Sequence, residues 1–170
     1  KQSTHWYPLL RANLGRKSSV EKFRGIAASP GIAIGRAYIF RREKREVIRR
    51  EIPPDLVEAE IKRFHESLEK AREYLAELVE KVRREVGEKE AEIYEAHMMM
   101  LEDEPSFIKP VEEMITSERV CAEYAVEKVL EQVISIFSCM ESEYMRERAM
   151  DVKDVKDLVI GFLMGKEKER

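Results

Sequence analysis

From Val57 onward, apolar residues recur at alternating intervals of four and three: Val57, Ile61, Phe64, Leu68, Ala71, Leu75, Leu78 and Val82. On a helix these positions form one seam. The spacing predicts a single long helix over 56–86, roughly 45 Å long at about 1.5 Å per residue. Pro53-Pro54 ends extended structure before it. Asp55, with Glu58 three residues on, reads as an N-cap and capping box. Gly87 is the natural C-terminal stop. A second helix is expected from about Lys89 to Glu102, and a short third one from Pro105 to near Thr116. Residues 121–140 place Ala122, Val126, Val129, Val133 and Phe137 on one face. Residues 144–165 do the same with Tyr144, Val152, Val155, Val159 and Phe162. The predicted fold is mainly α, a four-helix-bundle-like array of helical hairpins over 54–166.

The pattern is different ahead of the helices. "FRGIAASPGIAIGRAYIF" (23–40) reads as strand, turn, strand, with Pro30-Gly31 at the turn. A short N-terminal β-strand pair is therefore expected over 23–41. Gly31 and Gly35 do not make a phosphate loop, because no GxGxxG is present and no Lys-Ser/Thr follows. Residues 1–22 show no periodicity and are expected to be an extension, natural or artificial. Their net charge of +4, taken from −3 for the chain, leaves −7 for the rest. The first methionine is Met98, so the chain is expected to be a processed piece or one with artificial bounds.

Composition narrows the function classes. Hydrophobic residues are 44% and charged residues 38% of 170 residues, which suits amphipathic helices and not disorder. A net charge of −3 gives nucleic-acid binding no electrostatic support. There is no apolar run of membrane-spanning length and no signal-peptide core, so a soluble, cytoplasmic protein without membrane insertion is expected. Cys121 and Cys139 lie in apolar surroundings without a CxxC, and are expected to be reduced core thiols. Glutamine and asparagine occur only as Gln2, Gln132 and Asn13, while Lys, Arg and Glu abound. That bias predicts a heat-adapted protein melting above about 60 °C.

The second helix carries the unusual chemistry. At about 100° per residue, Tyr94, Met98 and Leu101 form one apolar stripe, and Ile93, Ala96, His97 and Met100 form another. A bundle helix needs one stripe for its core. The second is surplus, and Glu88, Glu92, Glu102, Asp103 and Glu104 border it. Either the helix has a wide core face with solvated acids, or the stripe is an exposed methionine-rich patch that acids make attractive to a basic partner. A di-iron carboxylate bundle fails, since Glu-x-x-His is absent: Tyr94 precedes His97 by three residues, and Lys62 precedes His65. An enzyme using His97 as nucleophile or ligand, and a purely structural bundle, stay open as rivals.

Three segments in order are similar to one family: "GIAASPGIAIGRA" (25–37), "EIYEAHMMMLEDE" (92–104) and "EYMRERAMDVKDV" (143–155), the last with Arg148, Asp151 and Asp154 in the family's spacing. Together they resemble the N-terminal, HPr-binding region of enzyme I, the phosphoenolpyruvate–protein phosphotransferase of the bacterial sugar phosphotransferase system. The resemblance implies a helical subdomain that docks the phosphocarrier HPr, inserted after strands of an α/β subdomain that bears a phosphohistidine. It implies Glu88, Ile93, His97, Met99, Met100, Asp103 and Glu104 as the HPr-facing residues. The family's Gly-Gly-x-Thr-Ser-His phosphoacceptor segment is not in this sequence. Nor is the C-terminal barrel that binds phosphoenolpyruvate and magnesium and carries the family's dimer interface. No catalytic residue, metal or cofactor is therefore expected here, and the chain alone is expected to be inactive. The nitrogen-branch enzyme I and a multidomain dihydroxyacetone kinase subunit share the same block.

Overall fold

The computed structural model describes residues 34–35 and 46–165. The chain divides into two compact units, Lys1–Arg42 and Glu43–Arg170. In the first, only Ile34 and Gly35 are described. The expected strand pair over 23–41 and the extension over 1–22 thus lie outside the described residues, those two positions apart.

The second unit is built from five α-helices: α1 (Val57–Glu85), α2 (Glu88–Leu101), α3 (Lys109–Glu118), α4 (Ala122–Ser138) and α5 (Glu143–Leu163). The expected four-helix bundle is corrected to two long hairpins, α1/α2 and α4/α5, packed on each other, with α3 as a fifth element against α1 and α4. Among the described residues there is no strand. A single antiparallel bridge pairs Glu51 with Val120. Around it Ile52 N–H donates to the Arg119 carbonyl at 2.8 Å and Cys121 N–H to the Arg50 carbonyl at 2.9 Å, tying the incoming chain to the α3–α4 corner.

The heptad seam becomes the core face of α1. Phe64, Leu68, Ala71 and Leu75 are buried, and Val57, Ile61 and Leu78 pack partly buried beside them. The capping box does not form. Pro53 and Pro54 start a 3-10 turn, Pro54–Leu56, so Asp55 sits inside the first turn and Leu56 takes the N-cap position without a side-chain cap. Asp55 then acts only through its charge near the helix start, where carboxylates are favoured.

The link from α2 to α3 is a π-turn, Glu104–Ile108, opened by Asp103, whose carboxylate accepts the Ser106 N–H at 3.0 Å. The Lys109 N–H reaches back five residues to the Glu104 carbonyl. Pro110 explains the shift: it has no N–H, so the helical ladder is broken there and can change register just before it. The expected helix from Pro105 consequently begins at Lys109.

Gly87 ends α1 and opens α2 with φ 155 and ψ 172. Side chains rarely adopt that conformation, and a Cβ there would stand 2.9 Å from the end of the Glu90 side chain. Gly87→Ala is expected to destabilise the protein by about 1–2 kcal/mol, most of it backbone strain. Urea denaturation checks this, and an Ala variant equal to wild type would show that the turn has other conformations available.

The two cysteines part company: Cys121 is buried and Cys139 exposed. Cys139 follows α4 at the open α4–α5 turn, where no helix covers it. Tyr144 is corrected likewise. Expected on the apolar face of α5, it is 59% exposed, and Ala149, Ile160 and Leu163 complete the buried face instead. Among the described residues no helix is long and apolar enough to cross a membrane.

Candidate docking face

Arg63 near the start of α1 touches Glu123 at the start of α4 and the Leu163 carbonyl at the end of α5. The helices are thereby oriented: α1 and α4 begin at one end, and α2 and α5 begin at the other. The α2 helix packs on α1 along one flank and also touches α5. This second neighbour explains its two stripes.

Ala91 and Leu101 are buried, and Tyr94, Met98 and Met100 pack partly buried against the core. His97, expected on the exposed stripe, is only 6% exposed. Its Nε2 points at Asp151 of α5 with a 3.5 Å separation to Oδ1. The two lie within ion-pair range, but no hydrogen bond forms, and Nε2 is a buried atom without a hydrogen-bond partner. The Tyr94 ring stands edge-on to the imidazole, centroids 5.9 Å apart. The surplus stripe is therefore divided: α5 covers its His97 edge, and Ile93 remains half exposed beyond it.

Helical phase sorts the other expected contacts. Ile93 and Met100 lie within roughly 60° of His97 around α2, on the flank next to α5, whereas Glu88 and Met99 lie on nearly the opposite side. Met99 is the most exposed large apolar residue of the helix, at 67%. Thus the seven expected residues do not form one continuous face.

Several of the expected acids are already engaged. Glu88 accepts Arg83 Nε on both carboxylate oxygens at 3.1 Å, and Arg83 also binds Glu80 and Glu95. Asp103 caps the π-turn, and Glu104 lies 3.4 Å from Lys109. These pairs lower the acids' pull on an approaching cation. Being exposed, they do little for stability.

On α5, beside the His97 edge of α2, Asp151 is linked to Arg148 and Tyr144. Arg148 donates through Nε and Nη2 to the Tyr144 hydroxyl at 3.1 and 2.9 Å, and through Nη1 to Asp151 Oδ2 at 3.0 Å. Its guanidinium also stands over the Tyr144 ring, 5.0 Å from the centroid. The Tyr144 bond first and Asp151 second push the Arg148 pKa above its ordinary value. The signal for this linked group is visible in the sequence, since Tyr144, Arg148 and Asp151 are spaced four and three apart, neighbours on one helix face. What the sequence cannot show is that this face meets α2. Among the described residues, no three His, Cys, Asp or Glu side chains gather as a metal ion would require.

The fold class is a helical module of two hairpins, with large apolar side chains left open beside acids. The sequence profile described as "PEP-utilising enzyme, N-terminal" matches residues 24–148, and the chain belongs to that family. It is 42% identical over 145 residues to the phosphoenolpyruvate-protein phosphotransferase of Priestia megaterium, covering 85% of this chain and 25% of that protein. The corresponding Bacillus subtilis protein is 36% identical over 148 residues, 87% of this chain and 25% of that one. A solution structure of Enzyme I (nEIt) superposes with a TM-score of 0.72 at 43% identity, covering 83% of this chain and 56% of that one. The chain corresponds to the N-terminal region of enzyme I and spans about a quarter of the length of these curated relatives.

Proposed function

We propose that this chain is the carrier-docking part of a phosphoenolpyruvate–protein phosphotransferase, with α2 as the main contact for HPr. On this reading the longer enzyme takes a phosphoryl group from phosphoenolpyruvate onto its own histidine and passes it to HPr. Phosphoenolpyruvate and magnesium would bind in the rest of that enzyme. The observation that carries the reading is the half-exposed Ile93, with Met99 further round the helix, left uncovered on α2 beside exposed acids. An apolar contact with charged steering suits a carrier that must leave again, because it gives a fast on-rate without the desolvation penalty of buried ion pairs. Methionine at such a surface adapts its shape to the partner.

The test is titration of HPr into the isotopically labelled chain. Shifts are expected at Ile93, Ala96 and Met100, and at Met99 if the contact wraps round the helix. Ile93→Asp is expected to weaken binding roughly tenfold or more while circular dichroism stays unchanged. Wild type and variant of equal affinity would sink the reading. In a separate assay with labelled phosphoenolpyruvate and magnesium, the chain alone is expected to retain no label. An acid-labile, base-stable label would favour His97 or another histidine as a nucleophile.

A further inference from the structure

The segment that leads into α1 is fastened to a helix much later in the chain. Its backbone pairs with the α3–α4 corner through Arg50 and Ile52. Side chains add to this. The Cys121 thiol donates to the Ile48 carbonyl at 3.6 Å. Arg49 stands over the Tyr124 ring, 5.9 Å from its centroid. Arg50 Nη2 donates to Glu123 Oε1 at 3.5 Å. Glu123 is a buried acid, only 5% exposed.

The far end of the helical unit reaches the same carboxylate. Arg63 Nη1 donates to Glu123 Oε1 at 3.0 Å and to the Leu163 carbonyl at 2.9 Å, while Nη2 donates to Glu123 Oε2 at 2.7 Å. Leu163 is the last residue of α5, so its carbonyl is one of the four that a helix leaves without an internal partner. The Met164 and Gly165 N–H groups return to Ile160 and Phe162, and Arg63 satisfies Leu163 from another helix. A cation there also meets the negative end of the helix dipole.

An exposed ion pair would let both of these ends drift, because its partners separate at little cost. A buried carboxylate does not, since losing its cations leaves an uncompensated charge out of water. Glu123 takes one arginine from each end. Moving either end therefore disturbs the group that holds the other.

We propose that Glu123 and Arg63 form a clasp: the buried carboxylate receives Arg50 from the leading segment and, through Arg63, the last carbonyl of α5, so that the points where the chain enters and leaves the five-helix array are held in fixed relation. Displacement at one point is transmitted to the other through this anchor. The coupling does not depend on what α2 binds, so it stands or falls apart from the docking of HPr.

Two spin labels on the whole chain read this relation. They are placed at Glu46→Cys and Met164→Cys, with Cys139→Ser so that Cys121, which is buried, is the one native thiol left. A second pair, Glu73→Cys and Glu92→Cys, reports on the α1/α2 hairpin as a control. Electron–electron distance measurements are expected to give a narrow distribution for the first pair. Glu123→Gln removes the charge that holds both arginines. Arg63→Lys keeps the charge but loses the planar fork that reaches Glu123 and Leu163 together. Each is expected to broaden the first distribution roughly twofold and leave the control pair unchanged. A lower unfolding midpoint with the first distribution still narrow would overturn the clasp, leaving a cluster that only stabilises. Equal broadening of both pairs would overturn it too, as general loosening. If neither variant folds, Arg49→Ala with Arg50→Ala removes the exposed side-chain ties of the leading segment, and an unchanged width there sinks the proposal.

Discussion

Phe64→Ala is expected to lower unfolding stability by about 3–5 kcal/mol, the largest single loss of any substitution considered for this protein. Phe64 is fully buried at the middle of the α1 seam. Its ring meets Phe107 of the π-turn nearly edge-on, centroids 5.8 Å apart at 85°. This aromatic pair attaches the long helix to the irregular link between α2 and α3. Truncation removes the ring's apolar burial and leaves a cavity walled by helices that are also committed elsewhere, so little collapse is available. Against a typical domain stability of roughly 5–15 kcal/mol the variant would be marginal. Urea titration measures it, with Phe64→Leu as the control expected to lose under half as much. A loss under about 1 kcal/mol for Phe64→Ala would mean that the α1–π-turn contact is soft.

The second large effect is expected at Arg63. Nε and Nη2 bind Glu60 at 3.1 and 2.6 Å, Nη1 and Nη2 bind Glu123 at 3.0 and 2.7 Å, and Nη1 also binds the Leu163 carbonyl at 2.9 Å. These five bonds match the five N–H donors of a guanidinium. Glu60 also accepts the Ala122 N–H at 2.7 Å, so it caps α4 where the N-cap residue Cys121 supplies no side-chain cap. Arg63→Ala would leave two largely buried carboxylates side by side, with Arg50 at 3.5 Å as the cation remaining beside Glu123. Breaking such a pair costs about 3–5 kcal/mol when fully buried, and a value near the lower end is expected because a third of Arg63 faces solvent.

The same cluster gives a pH dependence. Burial by itself pushes the Glu60 and Glu123 carboxyls up. Hydrogen bonds from Arg63, then from the Ala122 N–H to Glu60 and the Glu123 N–H to its own carboxylate, together with the Arg63 charge, outweigh it. Both pKa values end below the ordinary 4.5. A carboxylate with a lowered folded pKa binds fewer protons folded than unfolded, so stability rises with pH in that window. Its contribution is present above about pH 4.5 and is lost as pH falls through the lower folded values. The gap between wild type and Arg63→Ala is thus expected to be widest near pH 7 and to shrink below pH 4.5. A gap independent of pH would mean that Arg63 stabilises mainly by packing its aliphatic stem.

Much of this was legible in the sequence, for reasons that differ by residue. Local signals worked where one short-range interaction decides. The seam from Val57 to Val82 has to be buried by any fold, so its period predicted α1 directly. Gly87 ends the helix because few other residues can adopt its φ. Asp55 misled because a capping box assumes that the helix starts at the cap, and the two prolines started a turn earlier. Tyr144 misled because its helical phase fits the core flank, while its hydroxyl and ring are engaged by Arg148 and it stays exposed.

At the candidate site the division is sharper. The sequence by itself determined that α2 carries more apolar surface than one partner helix can bury, and that acids border it. It also supplied, through three ordered segments, the family to which the chain belongs. Periodicity describes a helix about its own axis and says nothing about its neighbours. Only the tertiary structure decided that α5 lies along the second flank of α2, burying His97 against Asp151 and leaving Ile93 open. A residue's phase is a local property of its helix. Whether that phase meets solvent or another helix depends on contacts more than fifty residues away in the chain, and there the reading of a sequence alone has no physical handle.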